Sequence, residues 1–174
     1  MFKELNILGP FFREPTREMG VREYARIQRI APATASKDLK ALEKQGYLRH
    51  RKERMLDLYK ADLESWHYRD IKTYHTIRTL RSSQLLDSLD EFYLRPTIIL
   101  FGSTAKGIDT ENSDIDLVII SEKKKEFPRL KEFEKKLGRE LQIFAVNSIK
   151  DLRNKHLMNS VLNGIVLQGE VQWM

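Results

Sequence analysis

Hydrophobic positions along this chain change period several times, and each change predicts an element. Over residues 21–29 the apolar positions recur at helical spacing, with Val21, Tyr24, Ala25 and Gln28 on one face. Ile30 and Ala31 form a short connection. Pro32 restarts a helix, because its fixed φ and missing N–H suit the first helical position. That helix is expected to run to about Gln45 and to end at Gly46. At 100° per residue Ala35, Leu39 and Leu42 share one face, while Lys37, Lys40 and Lys44 cluster on the opposite one. Two β-prone runs follow, residues 47–50 and 56–59, and between them lies Arg51-Lys52-Glu53-Arg54. This predicts a hairpin with a basic tip.

Residues 63–93 contain neither Gly nor Pro, and Trp66, Ile71, Tyr74, Ile77, Leu85, Leu89 and Phe92 recur at roughly helical spacing. A long connecting helix is expected there, with a break or bend at Ser82-Ser83. Beyond it, residues 97–101 form a continuous apolar, β-branched run that reads as a buried strand, as do residues 117–120. A later strand is expected over residues 140–146 and a helix carrying Leu130, Phe133 and Leu137. Residues 157–162 are expected to close the fold before a last short strand at 165–167. The fold class is α+β, in three parts: residues 1–62, a connecting helix over 63–94, and a small mixed-sheet unit over 95–174.

Composition narrows the setting. The 174 residues contain no cysteine, which excludes disulfides, thiolate metal sites and a cysteine nucleophile, and fits a reducing compartment. No apolar run is long enough to span a bilayer, and residues 1–8 are too short and charged for a signal peptide. A cytoplasmic protein without membrane contact is expected. The net charge is +6, and residues 1–64 hold 14 Lys/Arg against 10 Asp/Glu. That local excess attracts polyanions, although by itself it is also the surface of an ordinary soluble protein.

The second helix of the N-terminal third can read DNA. Thr34 and Ser36, small hydroxyl residues on its first turn, can enter a major groove. Lys37, Lys40 and Lys44 can hold phosphates there, with Arg49, Arg51, Lys52 and Arg54 of the hairpin tracking the backbone beside it. Residues 20–60, and above all Ala31-Pro-Ala-Thr-Ala-Ser-Lys-Asp-Leu-Lys-Ala-Leu-Glu-Lys-Gln-Gly46, resemble the winged helix-turn-helix of prokaryotic regulators. The resemblance implies double-stranded DNA as partner. A winged helix used only for protein contact is the alternative. Readers of DNA half-sites are commonly two-fold symmetric, so the connecting helix is either a homodimer seam or packing for its own domains. His67 and His75 on that helix have no ligand partners nearby in sequence and read as structural.

The chemistry of the C-terminal half starts where the first buried strand ends. Gly102 has no Cβ to obstruct a ligand. Ser103 offers a hydroxyl and an N–H for a phosphate, Lys106 adds charge, and Gly107 lets the chain reverse. Asp114 and Asp116 stand at i and i+2, so on a strand both carboxylates face the same way. Two such carboxylates suit Mg²⁺, which takes one or two carboxylates plus substrate phosphates. A nucleoside triphosphate (NTP) could be held between the turn and the metal. A P-loop is excluded, since there is no G-x-x-x-x-G-K-[ST].

Phe101-Gly-Ser-Thr-Ala-Lys-Gly107 followed by Asn112-Ser-Asp-Ile-Asp-Leu117 resembles the DNA polymerase beta superfamily of nucleotidyltransferases, in its minimal, MNT-type branch. The domain order resembles archaeal fusions of a winged helix to such a unit. The resemblance covers about residues 95–170. It implies a mixed sheet flanked by helices and Mg²⁺ or Mn²⁺ on Asp114 and Asp116, which would be the catalytic pair. It further implies an NTP bound by Gly102, Ser103, Lys106 and Ser113, and transfer of a nucleoside monophosphate to an acceptor hydroxyl. Members of this branch often pair with a helical HEPN-type protein. The superfamily usually supplies a third carboxylate from a later strand. Here Gln142 stands at that position, and a neutral amide cannot act as a base. Glu140, two residues earlier, is the other candidate. The expected function is a DNA-binding regulator or antitoxin-like protein with a transferase domain impaired at that position. The alternative is a non-catalytic regulator that uses the same fold as a nucleotide sensor or dimerisation module.

Overall fold

The computed structural model describes residues 2–171 and divides the chain into two units, residues 1–72 and 73–174. The first opens with α1 (Phe2–Arg13), a helix the sequence reading did not anticipate because Gly9-Pro10 reads as a breaker. Leu5, Leu8, Phe11 and Phe12 are nevertheless spaced for one face and are buried. Proline lacks the N–H that would bond the carbonyl four residues back, which here belongs to Asn6. That carbonyl is satisfied instead by the Gln28 side-chain amide at 2.9 Å, and Tyr24 Oη donates to the next carbonyl, Ile7, at 2.8 Å. The helix thus tolerates its proline because a neighbouring helix supplies the missing donor.

That neighbour is α2 (Val21–Gln28), entered from a two-residue strand, β1 (Met19–Gly20), which the sequence reading also lacked. Next comes α3 (Pro32–Lys44), with proline in its first turn and Ala35, Leu39 and Leu42 buried. Gly46 follows in the left-handed region, φ 77°, a conformation costly for other residues. Strands β2 (Leu48–Glu53) and β3 (Leu56–Ala61) then pair antiparallel, with Glu53 opposite Leu56, around the turn Arg54-Met55. Both strands are longer than the β-prone runs indicate, and the basic run expected as the tip is mostly strand. β1 adds to the far edge of β3, giving the order β1-β3-β2. The core gathers Leu8, Phe11, Tyr24, Leu39, Leu42, Leu48, Tyr59 and Tyr68.

Residues 63–93 form two helices, α4 (Trp66–Ser82) and α5 (Leu85–Tyr93). The break has a local cause. Ser83 Oγ donates to the Leu80 carbonyl at 2.7 Å and accepts from Leu85 N–H at 3.2 Å, ending one helix and starting the next. Between them Gln84 adopts a left-handed conformation, φ 67°.

The second unit is built on β4 (Thr97–Phe101), β5 (Ile115–Ile120), β6 (Leu141–Val146) and β7 (Ile165–Gln168), in the order β6-β5-β4-β7. β5 runs antiparallel to β4 and parallel to β6, so the sheet is mixed. A four-residue helix, α6 (Gly102–Ala105), follows β4; α7 (Leu130–Leu137) joins β5 to β6; α8 (Lys155–Leu162) precedes β7. Alternation divides the strands between two faces. Ile98, Leu100, Ile115, Leu117, Ile119 and Leu141 pack with α5 and α7. Ile99, Phe101 and Val118 pack with Val161, Leu157 and Met158 of α8. Among the described residues no helix is long and apolar enough to cross a membrane.

Candidate functional site

The second face of this sheet changes character at one end. Below, it is apolar and covered by α8. At the end of β4 and the start of β5 it carries Asp116 in register with Phe101 on one side and Gln142 on the other. Gly102 turns the chain there with φ 74°. A Cβ on Gly102 would lie 2.2 Å from Asp116 Oδ2. Glycine is thus required twice, by the left-handed backbone and by a carboxylate pressed against it.

Asp114 is held from its backbone. Its carbonyl accepts from Thr104 Oγ1 at 3.0 Å and from Arg139 at 3.2 Å. Arg139 also donates to the Ser113 carbonyl through Nε at 2.9 Å and pairs with Asp109 at 2.7 Å, where the Asp109 side chain is only 1% exposed. Thr104 and the Arg139–Asp109 pair therefore clamp the loop that presents the two aspartates. Neither was legible as a site element: Arg139 looks like one more surface cation, and Asp109 lies in a loop without pattern.

The two carboxylates themselves make no ion pair among the described residues. Burial holds the Asp116 carboxyl above its ordinary value, the neighbouring charge of Asp114 adds to this, and Arg139 partly opposes it. Gln142 Nε2 donates to Asp114 Oδ2 at 3.0 Å. The structure thus brings Gln142 to the pair. Glu140 precedes β6 and is exposed; its carbonyl accepts from Ile115 N–H at 2.9 Å, and its charge is felt at Lys131. Among the described residues no three His, Cys, Asp or Glu side chains converge. The donor set is two carboxylates and an amide, all oxygen on the acceptor side, which suits a hard cation such as Mg²⁺ rather than a soft one.

The other expected nucleotide contacts fall around this pair. Ser103 lies in the first turn of α6 and is partly exposed. Lys106 caps the same helix and is exposed, at the rim of an open cleft of about 450 Å³ lined also by His156, Asn159, Ser160 and Asn163. Ser113 is occupied within its own loop, where its Oγ accepts from Thr110 N–H at 2.9 Å.

The expected DNA-reading residues lie in the first unit. Thr34, Lys37, Lys40 and Lys44 are exposed on α3 and Ser36 is partly so. Among the described residues none of the three lysines has an ion pair. The hairpin differs. Arg49 pairs with Asp62 at 2.8 Å and with Glu64, and Arg51 pairs with Glu18 at 2.6 Å and Glu53 at 2.8 Å. Of the four hairpin residues expected to track DNA, only Lys52 and Arg54 are left exposed without such partners among the described residues. Next to Arg54, Met55 at the turn is 90% exposed.

Residues 82–161 match the family model of the nucleotidyltransferase domain, and over this stretch the chain is similar to that family. Among curated proteins none matches the chain.

Proposed function

We propose that this nucleotidyltransferase-type domain binds an NTP with Mg²⁺ or Mn²⁺ and transfers a nucleoside monophosphate to an acceptor hydroxyl, and that the first unit is a winged helix-turn-helix that carries the activity to DNA. The observation behind the transferase reading is the contact of Gly102 with Asp116. A turn stripped of its side chain lies against a carboxylate pair that makes no ion pair among the described residues.

A divalent ion on Asp114 and Asp116 would neutralise triphosphate charge and polarise the reacting phosphoryl group. The remaining work belongs to the chain. Thr104 and Arg139 fix Asp114 through its carbonyl, so the carboxylates are oriented before ligand arrives. Gly102 and Ser103 leave room and N–H donors for the phosphates, and Lys106 adds one positive charge. In the transfer the acceptor oxygen bonds to the α-phosphorus, pyrophosphate departs with the electron pair of the broken P–O bond, and the hydroxyl proton passes to solvent. Gln142 cannot take that proton, so transfer is slow.

A second reading has its own observation. The hydrogen bond from Gln142 to Asp114 Oδ2 occupies one carboxylate oxygen with a protein donor. It favours a domain that senses nucleotide without transferring it, in a regulator or antitoxin-like protein. For DNA, the support is the row Lys37, Lys40 and Lys44 on α3, without ion pairs among the described residues, together with the exposed Lys52 and Arg54 of the hairpin. A homodimer is proposed along α4, where Trp66 and Tyr74 are exposed, and a HEPN-type partner is proposed from the family resemblance.

Pyrophosphate release with Mg²⁺ separates the two readings. Slow release by the unaltered chain that accelerates in Gln142→Asp supports the transferase. Nucleotide binding with no release in either protein supports the sensor. Glu140→Gln should leave release unchanged; a large loss there would make Glu140 the third ligand.

A further inference from the structure

The cleft beside Lys106 is built from one face of α8. His156, Asn159, Ser160 and Asn163 fall at i, i+3, i+4 and i+7, while Leu157, Met158 and Val161 of the same helix point to the sheet. The inward residues pack on Ile99, Phe101 and Val118, which is the sheet face that Asp116 and Gln142 also occupy by strand alternation. After α8 the chain passes Gly164, where a Cβ would lie 2.6 Å from the Leu100 carbonyl, and enters β7 with Ile165 opposite Leu100. The C-terminal end of α8 therefore reaches the same end of the sheet as Gly102 and Asp116. Lys106, three residues beyond Ser103, joins the phosphate turn to the cleft.

The lining is chemically selective. It offers two carboxamides, one hydroxyl, one imidazole and a single cation at the rim, with no carboxylate and no large apolar side chain. Carboxamides present donors and acceptors together, and an imidazole adds a flat face for stacking. A second polyanion would call for more positive charge, and a lipid or peptide side chain for more apolar surface. The volume of about 450 Å³ lies within the usual range of small-ligand sites.

We infer that the α8 cleft is the nucleoside subsite of this domain, with Asn159 and Asn163 hydrogen-bonding the base or ribose, His156 against the ring, and Lys106 between nucleoside and phosphates. The inference rests on the reading of Gly102 and Asp116 as a nucleotide site, and it adds that this short chain carries its own base recognition rather than leaving it to a partner.

The test compares two probes on the full chain in Mg²⁺: a non-hydrolysable NTP, and inorganic tripolyphosphate, which has no nucleoside. Asn159→Leu should weaken NTP binding by about tenfold, the effect of losing one or two well-placed hydrogen bonds, and leave tripolyphosphate within about twofold. His156→Ala should act in the same direction, and retained tripolyphosphate binding shows that each variant is folded. If both variants bind the NTP as tightly as the parent while tripolyphosphate also binds, the cleft is not the nucleoside subsite although the phosphate site stands. If the unaltered chain binds neither probe, the nucleotide reading fails and the inference with it.

Discussion

The row Lys37, Lys40 and Lys44 on α3 is positive, long and exposed, and none of the three makes an ion pair among the described residues. The second unit's Asp114 and Asp116 are the reverse, a pair of charges that is negative, short and half-buried. The difference matters because it sets what each arrangement costs. An exposed lysine is solvated and screened, so leaving it unpaired costs almost nothing and identifies a ligand only weakly. Two carboxylates side by side under partial burial repel one another and lose hydration. They are held in place against their own electrostatics by a backbone clamp, and such an arrangement is typical of a site that acts on a ligand. The same unit contains the opposite case a few residues away, where Asp109 is more deeply buried and its Oδ2 is paired with Arg139 at 2.7 Å.

That contrast can be broken first at its scaffold. Arg139→Met strands the buried Asp109 and removes donors from the carbonyls of Ser113 and Asp114. Loss of one partner of a buried pair costs about 3–5 kcal/mol, read from the denaturant midpoint. A loss below about 1 kcal/mol would mean that the pair does not hold the loop.

Gly102→Ala comes next. It forces alanine into φ 74° and drives a methyl into Asp116. The backbone alone costs about 1–2 kcal/mol. Mg²⁺-dependent nucleotide binding should vanish, because Asp116 must leave its place. Retention of that binding would detach the glycine from the site.

On the positive side, Lys37→Ala with Lys40→Ala should weaken duplex DNA binding roughly tenfold at moderate salt. The slope of log affinity against log salt should flatten by about 1.8, two phosphate contacts' worth. Unchanged affinity and slope would leave α3 without a role in DNA binding.

The smallest effect sharpens the contrast. The folded protein holds Asp116 above its ordinary value, so between the two values it binds more protons than the unfolded chain. Stability therefore falls as pH rises through that window, and the cost persists in full above it. Asp116→Asn should stabilise the ligand-free protein at neutral pH, by less than about 1 kcal/mol given the solvent screening, or roughly 2–4 °C in melting temperature at most. The gain should fade as pH falls through that window and be gone below the ordinary carboxyl value. A destabilised variant at neutral pH would mean that the carboxylate is already compensated.

Much of the architecture was legible wherever one period ran without interruption. The apolar run at residues 97–101 and the i, i+4, i+7 set of Ala35, Leu39 and Leu42 each point to one element, and β4 and α3 form there. α1 was hidden because Pro10 is a local breaker whose cost is offset by Gln28, a residue far along the chain. β1 was hidden because a two-residue strand has no period at all. At the site, Gly102, Asp114 and Asp116 stand out because their types and spacing are chemically unusual. Thr104, Asp109 and Arg139 do not, since their contribution is a set of hydrogen bonds between segments about 10 and 30 residues apart. The partners of Arg49 and Arg51 were equally hidden: a run of basic residues looks uniform in sequence, and only pairing with Glu18, Asp62 and Glu64 shows which charges are already engaged. Strand register decides between Gln142 and Glu140: Asp116 pairs with Gln142, and Glu140, two residues earlier, lies before β6.

On this reading Asp114 and Asp116 form a cation site shared with a nucleotide. Titration of the full chain with Mn²⁺, followed by electron paramagnetic resonance with and without a non-hydrolysable NTP, addresses it without requiring transfer. Mn²⁺ binding should tighten when the nucleotide is present, weaken at least tenfold in Asp116→Asn (about 1.4 kcal/mol), and strengthen in Gln142→Asp. Mn²⁺ and nucleotide binding as tight in Asp116→Asn as in the unaltered chain would contradict it.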